Sequence, residues 1–139
     1  MEIKLECVAL KVSDVDRAKE FYERVGFHCD VDHHASEEFR VVQFTPPGSA
    51  CSITFGIGVD HGTPGAIQGL HLVVTDIETA RDELIDRGVE VSEPFHFGSE
   101  GQTPGVDPDH RNYNTFATFS DPDGNGFLLQ EVGHPSAGS

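Results

Sequence analysis

Several features that would assign this chain to a familiar class are scarce or absent. The 139 residues include only three cysteines, an odd number, and no CxxC motif. Neither a disulfide framework nor a zinc knuckle is expected, and reduced thiols are the simplest interpretation. No apolar run approaches the roughly 20 residues that cross a membrane, and the first ten residues carry charge where a signal peptide would be apolar. We therefore expect a soluble, cytoplasmic protein.

Basic residues are also scarce. Nine lysines and arginines stand against 24 acidic residues, for a formal charge of −15. Such a charge repels nucleic acid and anionic membranes, so neither is an expected partner. Two interpretations of the charge remain open: it steers a cationic ligand into a cleft, or it maintains solubility.

The chain does contain an internal repeat, which organises everything else. Residues 8–26 align without a gap with residues 70–88, at an offset of 62. Each copy starts with a short apolar run that predicts a strand, and apolar residues at helical spacing follow. Each copy ends in a glycine, Gly26 or Gly88, placed to end the helix in a left-handed cap.

Local signals place the starts of the helices and the strands that follow them. Ser13 stands three residues before Asp16, and Thr75 three before Glu78, which predicts a capping-box-like start for each helix. Further strands are predicted at 27–31, 39–44, 51–55, 89–97, 115–120 and 126–132.

Turns and polar segments set the predicted module bounds. The segment 121–126, Asp-Pro-Asp-Gly-Asn-Gly, is interpreted as a hairpin turn, because the glutamate that an EF-hand needs at its twelfth position is replaced by Val132. Residues 98–114 form a long polar loop, which is either functional or mobile. The predicted domains are a first βαβββ module at 1–57, a linker at 58–68, a second module at 69–132 and a disordered tail at 133–139.

The repeat and the Asp-Pro-Asp-Gly-Asn segment together resemble the vicinal-oxygen-chelate superfamily, which includes glyoxalases, bleomycin-resistance proteins and extradiol dioxygenases. The resemblance covers residues from about 5 to 132. It implies an α+β fold in which two tandem βαβββ modules form a curved mixed-sheet cup with the helices outside, commonly within a homodimer. In the family's enzymes a divalent metal at the floor of the cup grips two neighbouring substrate oxygens.

The resemblance also implies four metal-ligand positions, which here are Cys7, Ser52, Gly69 and Leu128. Glycine and leucine side chains cannot coordinate a metal, and serine is a poor ligand. We therefore expect the family's usual metal site to be missing and no cofactor to be bound. A shift of two residues keeps the same strand face and would bring in His71 and Gln130. A divalent metal in a non-standard site, with Cys7 as a third ligand, stays open as the alternative.

An organic ligand in the cup would need a wall and polar contacts. Aromatic residues bracket the long loop and suit a stacking wall, while His71 is either a polar lining residue or a hydrogen-bond partner or base. The predicted ligand-binding residues are Cys7, Ser52, Thr54, His71, Tyr113, Phe116, Leu128 and Gln130.

Two functions follow from this interpretation. The first is a metal-free protein that binds a small organic molecule, like the bleomycin-resistance proteins. The second is a metal-dependent lyase, isomerase or dioxygenase with a rearranged site. The sequence assigns no catalytic residue and does not decide whether the protein is an enzyme.

Overall fold

The structure is a computed structural model that describes residues 1–59 and 62–137. The described residues form two helices and nine strands. In chain order these are β1 (Cys7–Ala9), α1 (Val15–Val25), β2 (His28–Ser36), β3 (Phe39–Thr45), β4 (Ser52–Ile57), β5 (Leu70–Val74), α2 (Ile77–Asp86), β6 (Phe95–Gly98), β7 (Gly101–Pro104), β8 (Thr115–Ser120) and β9 (Gly126–Glu131). No helix in this part of the chain is both long and apolar enough to cross a membrane.

The strands form two mixed sheets that repeat one topology. The first sheet has the order β1-β4-β3-β2, and the second has the order β5-β9-β8-β6-β7. In each sheet the first two strands pair in parallel, and the remaining pairs are antiparallel. The predicted α+β fold with a duplicated strand–helix–strands unit is therefore confirmed, with β7 added at one edge of the second copy.

The contacts divide the chain into two compact units. Unit 1 comprises residues 1–68 together with the turn Asp121–Asn125. Unit 2 comprises Gly69–Ser120 and the segment that starts at Gly126. The turn connects β8 to β9 and is closed by hydrogen bonds from Asp121 N to Asn125 O and from Gly124 N to Asp121 O. This segment is a hairpin turn, as predicted.

The helix starts differ from the predicted capping boxes. The N-cap residues are Asp14 and Asp76, whose side chains accept hydrogen bonds from Arg17 N and Thr79 N. Ser13 is not the cap, because its hydroxyl and backbone N–H both donate to the carboxylate of Asp123. The prediction failed because Asp14 has the extended backbone of an N-cap residue.

The helix ends follow the glycines. Gly26 is the C-cap of α1 with φ of 102°, as predicted. In the second copy Arg87 is the C-cap, and Gly88, with φ of 83°, comes one residue later. The left-handed backbone at both positions favours glycine, because it has no Cβ to clash.

Unit 1 is built around the aromatic residues of α1 and its sheet. Tyr22 is fully buried and packs against Phe27, Phe44 and Phe55, with ring centroids 5.6–5.9 Å apart. Its hydroxyl donates to Asp121 Oδ2 at 2.8 Å. Burial raises the pKa of Tyr22 far above its ordinary value, and the neighbouring Asp121 carboxylate adds to the shift. The hydroxyl therefore stays protonated and ties α1 to the turn.

Unit 2 departs from the prediction after its helix. The strand predicted at 89–97 is confined to Phe95–Gly98. Val89 and Val91 are buried, but Arg81 Nε donates to the carbonyl of Ser92, which uses a group that a strand would need. Pro94, with no N–H to donate, directly precedes the strand.

The long polar loop predicted at 98–114 contains a strand. β7 pairs with β6 across the turn between Gly98 and Gly101, so the loop is confined to the residues after Pro104. The predicted tail from Gly133 is described as far as Ala137, and its His134 ring stacks on His110. Residues 138 and 139, and residues 60 and 61 of the predicted linker, lie outside the described part of the chain.

Candidate ligand-binding faces

Each unit presents one sheet face to its helix and leaves the opposite face uncovered by it. In unit 1, Phe44 and Phe55 contact Tyr22 of α1. In unit 2, Glu131 Oε2 accepts a hydrogen bond from the N–H of Ile77, the first residue of α2. Side chains alternate between the two faces along a strand. We call the face opposite the helix the open face of each unit.

The open face of unit 1 carries three of the predicted site residues. Cys7 pairs directly with Ser52 across β1 and β4, and Thr54 lies two residues along the same strand. Their side chains share this face because paired strand residues point to the same side of a sheet. The structure therefore brings these three together on one face of unit 1.

The hydroxyl groups on this face are linked into a short chain. Ser52 Oγ lies 2.6 Å from Thr45 Oγ1, and Thr45 in turn donates to Asp30. Thr54 Oγ1 donates to the carbonyl of Val42 at 3.1 Å. This open face is polar, and its donors already have acceptors within the sheet.

The thiol of Cys7 is held in its protonated form. A hydrogen bond with Glu6 raises the pKa of Cys7, and burial and the charge of Glu6 act in the same direction. Since the thiolate is both the nucleophile and the metal ligand, Cys7 is a weak candidate for either role.

The open face of unit 2 is aromatic. Phe95 pairs with Phe116 across β6 and β8, with ring centroids 5.6 Å apart. Phe97 meets Phe116 edge-on at 5.7 Å. Phe116 is 9% exposed, whereas Phe97 is 49% exposed, so the cluster presents an apolar surface at one end. Such a surface suits stacking against a planar group.

Polar side chains border this aromatic cluster. Gln130 pairs with Phe116, and His71 pairs with Leu128 on the neighbouring strands. His71 Nδ1 lies 2.7 Å from the carbonyl of Gly69, which orients the ring. Gln130 Nε2 donates to the carbonyl of Tyr113 at 3.4 Å, so Tyr113 lies at the margin of the face.

The pairing also tests the four family metal positions. Cys7 lies opposite Ser52, but Gly69 does not lie opposite Leu128, because Leu70 pairs with Phe127 and His71 with Leu128. In the ladder Leu128 corresponds to Thr54 of the first copy rather than to Ser52. Ser52 and Leu128 are therefore not equivalent positions of the two copies.

One cluster of titratable side chains was missed by the sequence analysis. Glu131 is 1% exposed, and its Oε1 lies 2.8 Å from His110 Nδ1. The His134 ring stacks on His110 at a centroid distance of 3.8 Å and an angle of 9°. An acidic residue in phase with buried Phe127 and Leu129 was the available signal, since a carboxylate is almost never buried without a partner.

These three residues are of the types that bind metal ions, but their observed arrangement does not suit a metal ion. Their ligand atoms lie within 4.8 Å of one another. A metal bound by histidine lies in the plane of the imidazole ring, and two parallel rings 3.8 Å apart cannot both contain one ion. In addition, His134 Nδ1 accepts from Ser136 N, which leaves the proton of the neutral ring on Nε2. The cluster is better described as a hydrogen-bonded junction.

A second buried carboxylate stands at the start of the same loop. Asp107 is 1% exposed and accepts hydrogen bonds from Asn114 Nδ2 at 2.8 Å and Asp109 N at 3.0 Å. Burial alone would raise the pKa of Asp107. The hydrogen bonds from Asn114, Asp109 and Arg111 outweigh it and hold the pKa below its ordinary value.

The duplicated fold, with a helix on one face of each sheet, defines the class to which the chain belongs. Residues 4–129 match the model of the Glyoxalase/Bleomycin resistance protein/Dioxygenase superfamily. The chain belongs to this superfamily, as the sequence resemblance predicted.

Individual members resemble the chain over nearly its whole length. TnmS3, an antibiotic binding protein from Streptomyces sp. CB03234, is 30% identical with a TM-score of 0.72, over 95% of this chain and 98% of its own. A superfamily member from Sphaerobacter thermophilus DSM 20745 is 30% identical with a TM-score of 0.70, over 94% of this chain and 98% of its own. YetH of Bacillus subtilis (strain 168), an uncharacterized protein, is 29% identical over 89% of this chain and 94% of its own length.

Proposed function

We propose that this protein binds a small planar organic molecule on the open face of unit 2 and does so without the metal of the family's enzymes. The observation that carries the proposal is the aromatic cluster of Phe95, Phe97 and Phe116, with Gln130 paired to Phe116. Stacked rings provide affinity for a planar group, and a few placed polar groups provide orientation.

The family metal positions support binding without a metal. Gly69 and Leu128 offer no side-chain ligand atom, and serine is a poor ligand. Cys7, whose pKa is raised, would first have to lose a proton. Neither the alternative of a divalent metal held by His71, Gln130 and Cys7 nor a role as an enzyme is part of this proposal.

The relatives support the same class of function. TnmS3 is an antibiotic binding protein, and its 30% identity extends over almost the entire chain. We carry over only this general role, the binding of a small organic ligand. The net charge of −15 favours a cationic or neutral ligand over an anionic one. A cytoplasmic homodimer is part of the proposal.

The experiment is a binding titration with matched planar probes. Proflavine, a cationic tricyclic dye, and anthraquinone-2-sulfonate, an anionic tricycle, are titrated by fluorescence or calorimetry, and thermal shift gives an independent measure because a ligand of the native state raises its stability. We expect proflavine to bind more tightly than the sulfonate. Elemental analysis of the purified protein is expected to find no stoichiometric divalent metal.

The variant Phe116→Leu tests the location, and Phe119→Leu is its control. Both residues lie on β8, but Phe119 is buried on the opposite face, where it stacks on Phe127. We expect Phe116→Leu to weaken proflavine binding about tenfold and Phe119→Leu to leave it unchanged despite lowering stability. Equal loss in both variants, or binding abolished by a chelator, would contradict the proposal.

A further inference from the structure

The loop that precedes β8 is held far more firmly than an ordinary surface loop. Asp107 fixes its start: the side chain accepts from Asn114 and Asp109, while Asp107 N donates to Thr115 Oγ1 at 3.1 Å. Loops seldom carry buried carboxylates, since each one must find several donors. This segment is therefore a built part of unit 2.

The end of the loop is fixed on Glu131. His110 Nδ1 lies 2.8 Å from Glu131 Oε1, and Tyr113 N donates to the backbone carbonyl of Glu131 at 2.9 Å. The other carboxylate oxygen of Glu131 accepts from Ile77 N. One buried side chain thus connects the loop to β9 and to the first turn of α2.

Two residues of this loop adopt a backbone that glycine would adopt more easily. Among the described residues, His110 (φ 48°) and Tyr113 (φ 65°) are the non-glycine residues with positive φ. A tyrosine in the left-handed region is disfavoured by its Cβ. Tyr113 is 62% exposed, so burial of its side chain does not offset the strain.

Strained backbone that persists at an exposed aromatic residue points to a role outside folding. Tyr113 lies at the margin of the open face, because its carbonyl accepts from Gln130 Nε2 and Gln130 pairs with Phe116 of the aromatic cluster. The backbone of Tyr113 therefore lies next to the surface that we assign to the ligand.

We propose that Tyr113 contacts the bound ligand and that His110 is the positioning residue that keeps Tyr113 in place through Glu131. This inference rests on the proposed function and names two residues that determine the affinity for the ligand. His110 acts through the loop and does not touch the ligand.

The experiment separates the ring of Tyr113 from its strained backbone. Tyr113→Asn removes the ring and suits a left-handed backbone, whereas Tyr113→Phe keeps the ring and the strain. We expect Tyr113→Asn to raise the unfolding midpoint by roughly 3 °C and to weaken proflavine binding about tenfold. Tyr113→Phe should keep the wild-type midpoint and lose less affinity than Tyr113→Asn.

A second pair of variants tests the positioning role of His110. His110→Ala removes the contact to Glu131, whereas His110→Asn suits φ of 48° and offers an amide donor in place of Nδ1. Hydrogen exchange of the amides at 107–113 and proflavine affinity are measured for both. We expect His110→Ala to lose exchange protection and about tenfold in affinity, and His110→Asn to restore both.

The outcomes distinguish a failure of this inference from a failure of the proposed function. If Phe116→Leu loses binding while the Tyr113 and His110 variants bind like the wild type, this inference is overturned and the proposed function stands. If Tyr113→Asn lowers the midpoint, or His110→Asn behaves like His110→Ala, the inference also fails. If the wild type binds neither dye, the proposed function falls and the inference with it.

Discussion

The two open faces come from one duplicated unit and yet have opposite chemistry. In unit 1, Ser52, Thr45 and Asp30 form a chain of polar contacts within the sheet. In unit 2, the open face carries a cluster of phenylalanines on β6 and β8, and Phe116 of this cluster corresponds to Val41 in the first copy. The helix-facing sides retain apolar side chains in both copies, because packing fixes them. Duplication therefore preserves the buried side of each sheet and leaves the other side able to specialise.

The two units also hold their helices through different hydrogen bonds. In unit 1 the contact is at the middle of α1, from the Tyr22 hydroxyl to Asp121. In unit 2 it is at the start of α2, from Ile77 N to the Glu131 carboxylate. Glu131 accepts from Ile77 N and lies within hydrogen-bond distance of His110, whereas the Tyr22 hydroxyl has a single proton, which it donates to Asp121. We therefore expect a larger loss of stability when the Glu131 contacts are removed.

The largest effect is expected for Glu131→Ala. The substitution leaves Ile77 N and His110 without their buried acceptor, and we expect the free energy of unfolding to fall by about 3 kcal/mol. Urea denaturation measures the change. Glu131→Gln, which keeps a carbonyl acceptor, should lose less than half as much. Equal losses would show that the carboxylate charge, and not the number of acceptors, sustains the junction.

The next effect compares the two open faces through binding. Phe97→Ala on unit 2 should weaken proflavine binding about tenfold, because it removes an exposed stacking surface. Thr54→Ala on unit 1 should change the affinity by less than about twofold. Titration of both variants measures the difference. A larger loss of affinity in Thr54→Ala than in Phe97→Ala would show that the ligand binds the open face of unit 1 instead.

A smaller effect is expected for Tyr22→Phe. It removes one buried donor to Asp121, which still accepts from Asn125 and from Asp123 N. We expect a loss of about 1 kcal/mol in the free energy of unfolding, measured by denaturation. Tyr113→Phe serves as the exposed control, with no change expected. An unchanged Tyr22→Phe protein would mean that ring packing alone holds α1.

The smallest expected effect is the dependence on pH and salt of the stability contributed by two carboxylates, Asp32 and Asp107. Hydrogen bonds from Arg40 and then Lys19 hold the pKa of Asp32 in unit 1 well below its ordinary value. Hydrogen bonds, mainly from an amide and backbone N–H groups, lower the pKa of Asp107 in unit 2 despite its burial. A depressed pKa means that each contribution is present above the unfolded value of about 3.9 and is lost as the pH falls through the folded value.

The matched variants Asp32→Asn and Asp107→Asn distinguish these causes. Each variant should be less stable than the wild type at pH 7, and each difference should narrow as the pH falls below about 4. Added 1 M salt should reduce the difference for Asp32, whose donors are the cations Arg40 and Lys19, more than that for Asp107, whose closest donors are an amide and a backbone N–H. Urea denaturation at pH 7 and below pH 4, with and without the added salt, measures these differences. Equal salt sensitivity would contradict the assigned causes.

The sequence predicted those features that depend on neighbouring residues. The offset of 62, the cap at Gly26 and the turn at 121–125 all follow from local patterns. The eight predicted site residues were placed on strands or at the margin of a face, and their role in binding stays a prediction.

Other features depend on partners far away in the chain. Ser13 was misassigned as a cap because the next residue, Asp14, caps the helix, while the hydroxyl of Ser13 binds Asp123, 110 residues later. The strand β7 was missed because the segment after Gly98 is polar and pairs on one side only. Glu131 was missed as a junction because His110 and Ile77, its partners, lie 21 and 54 residues away.

The turn Asp121–Asn125 has a consequence for how such a chain can be divided. Its strands belong to unit 2, but the turn itself belongs to unit 1, where Asn125 Nδ2 donates to Lys11 O and Asn125 Oδ1 accepts from Ile67 N. A fragment that stops at Gln68 would lack these groups and the acceptor of Tyr22. Unit 1 is therefore complete only when the chain includes residues from the loop between the last two strands of unit 2.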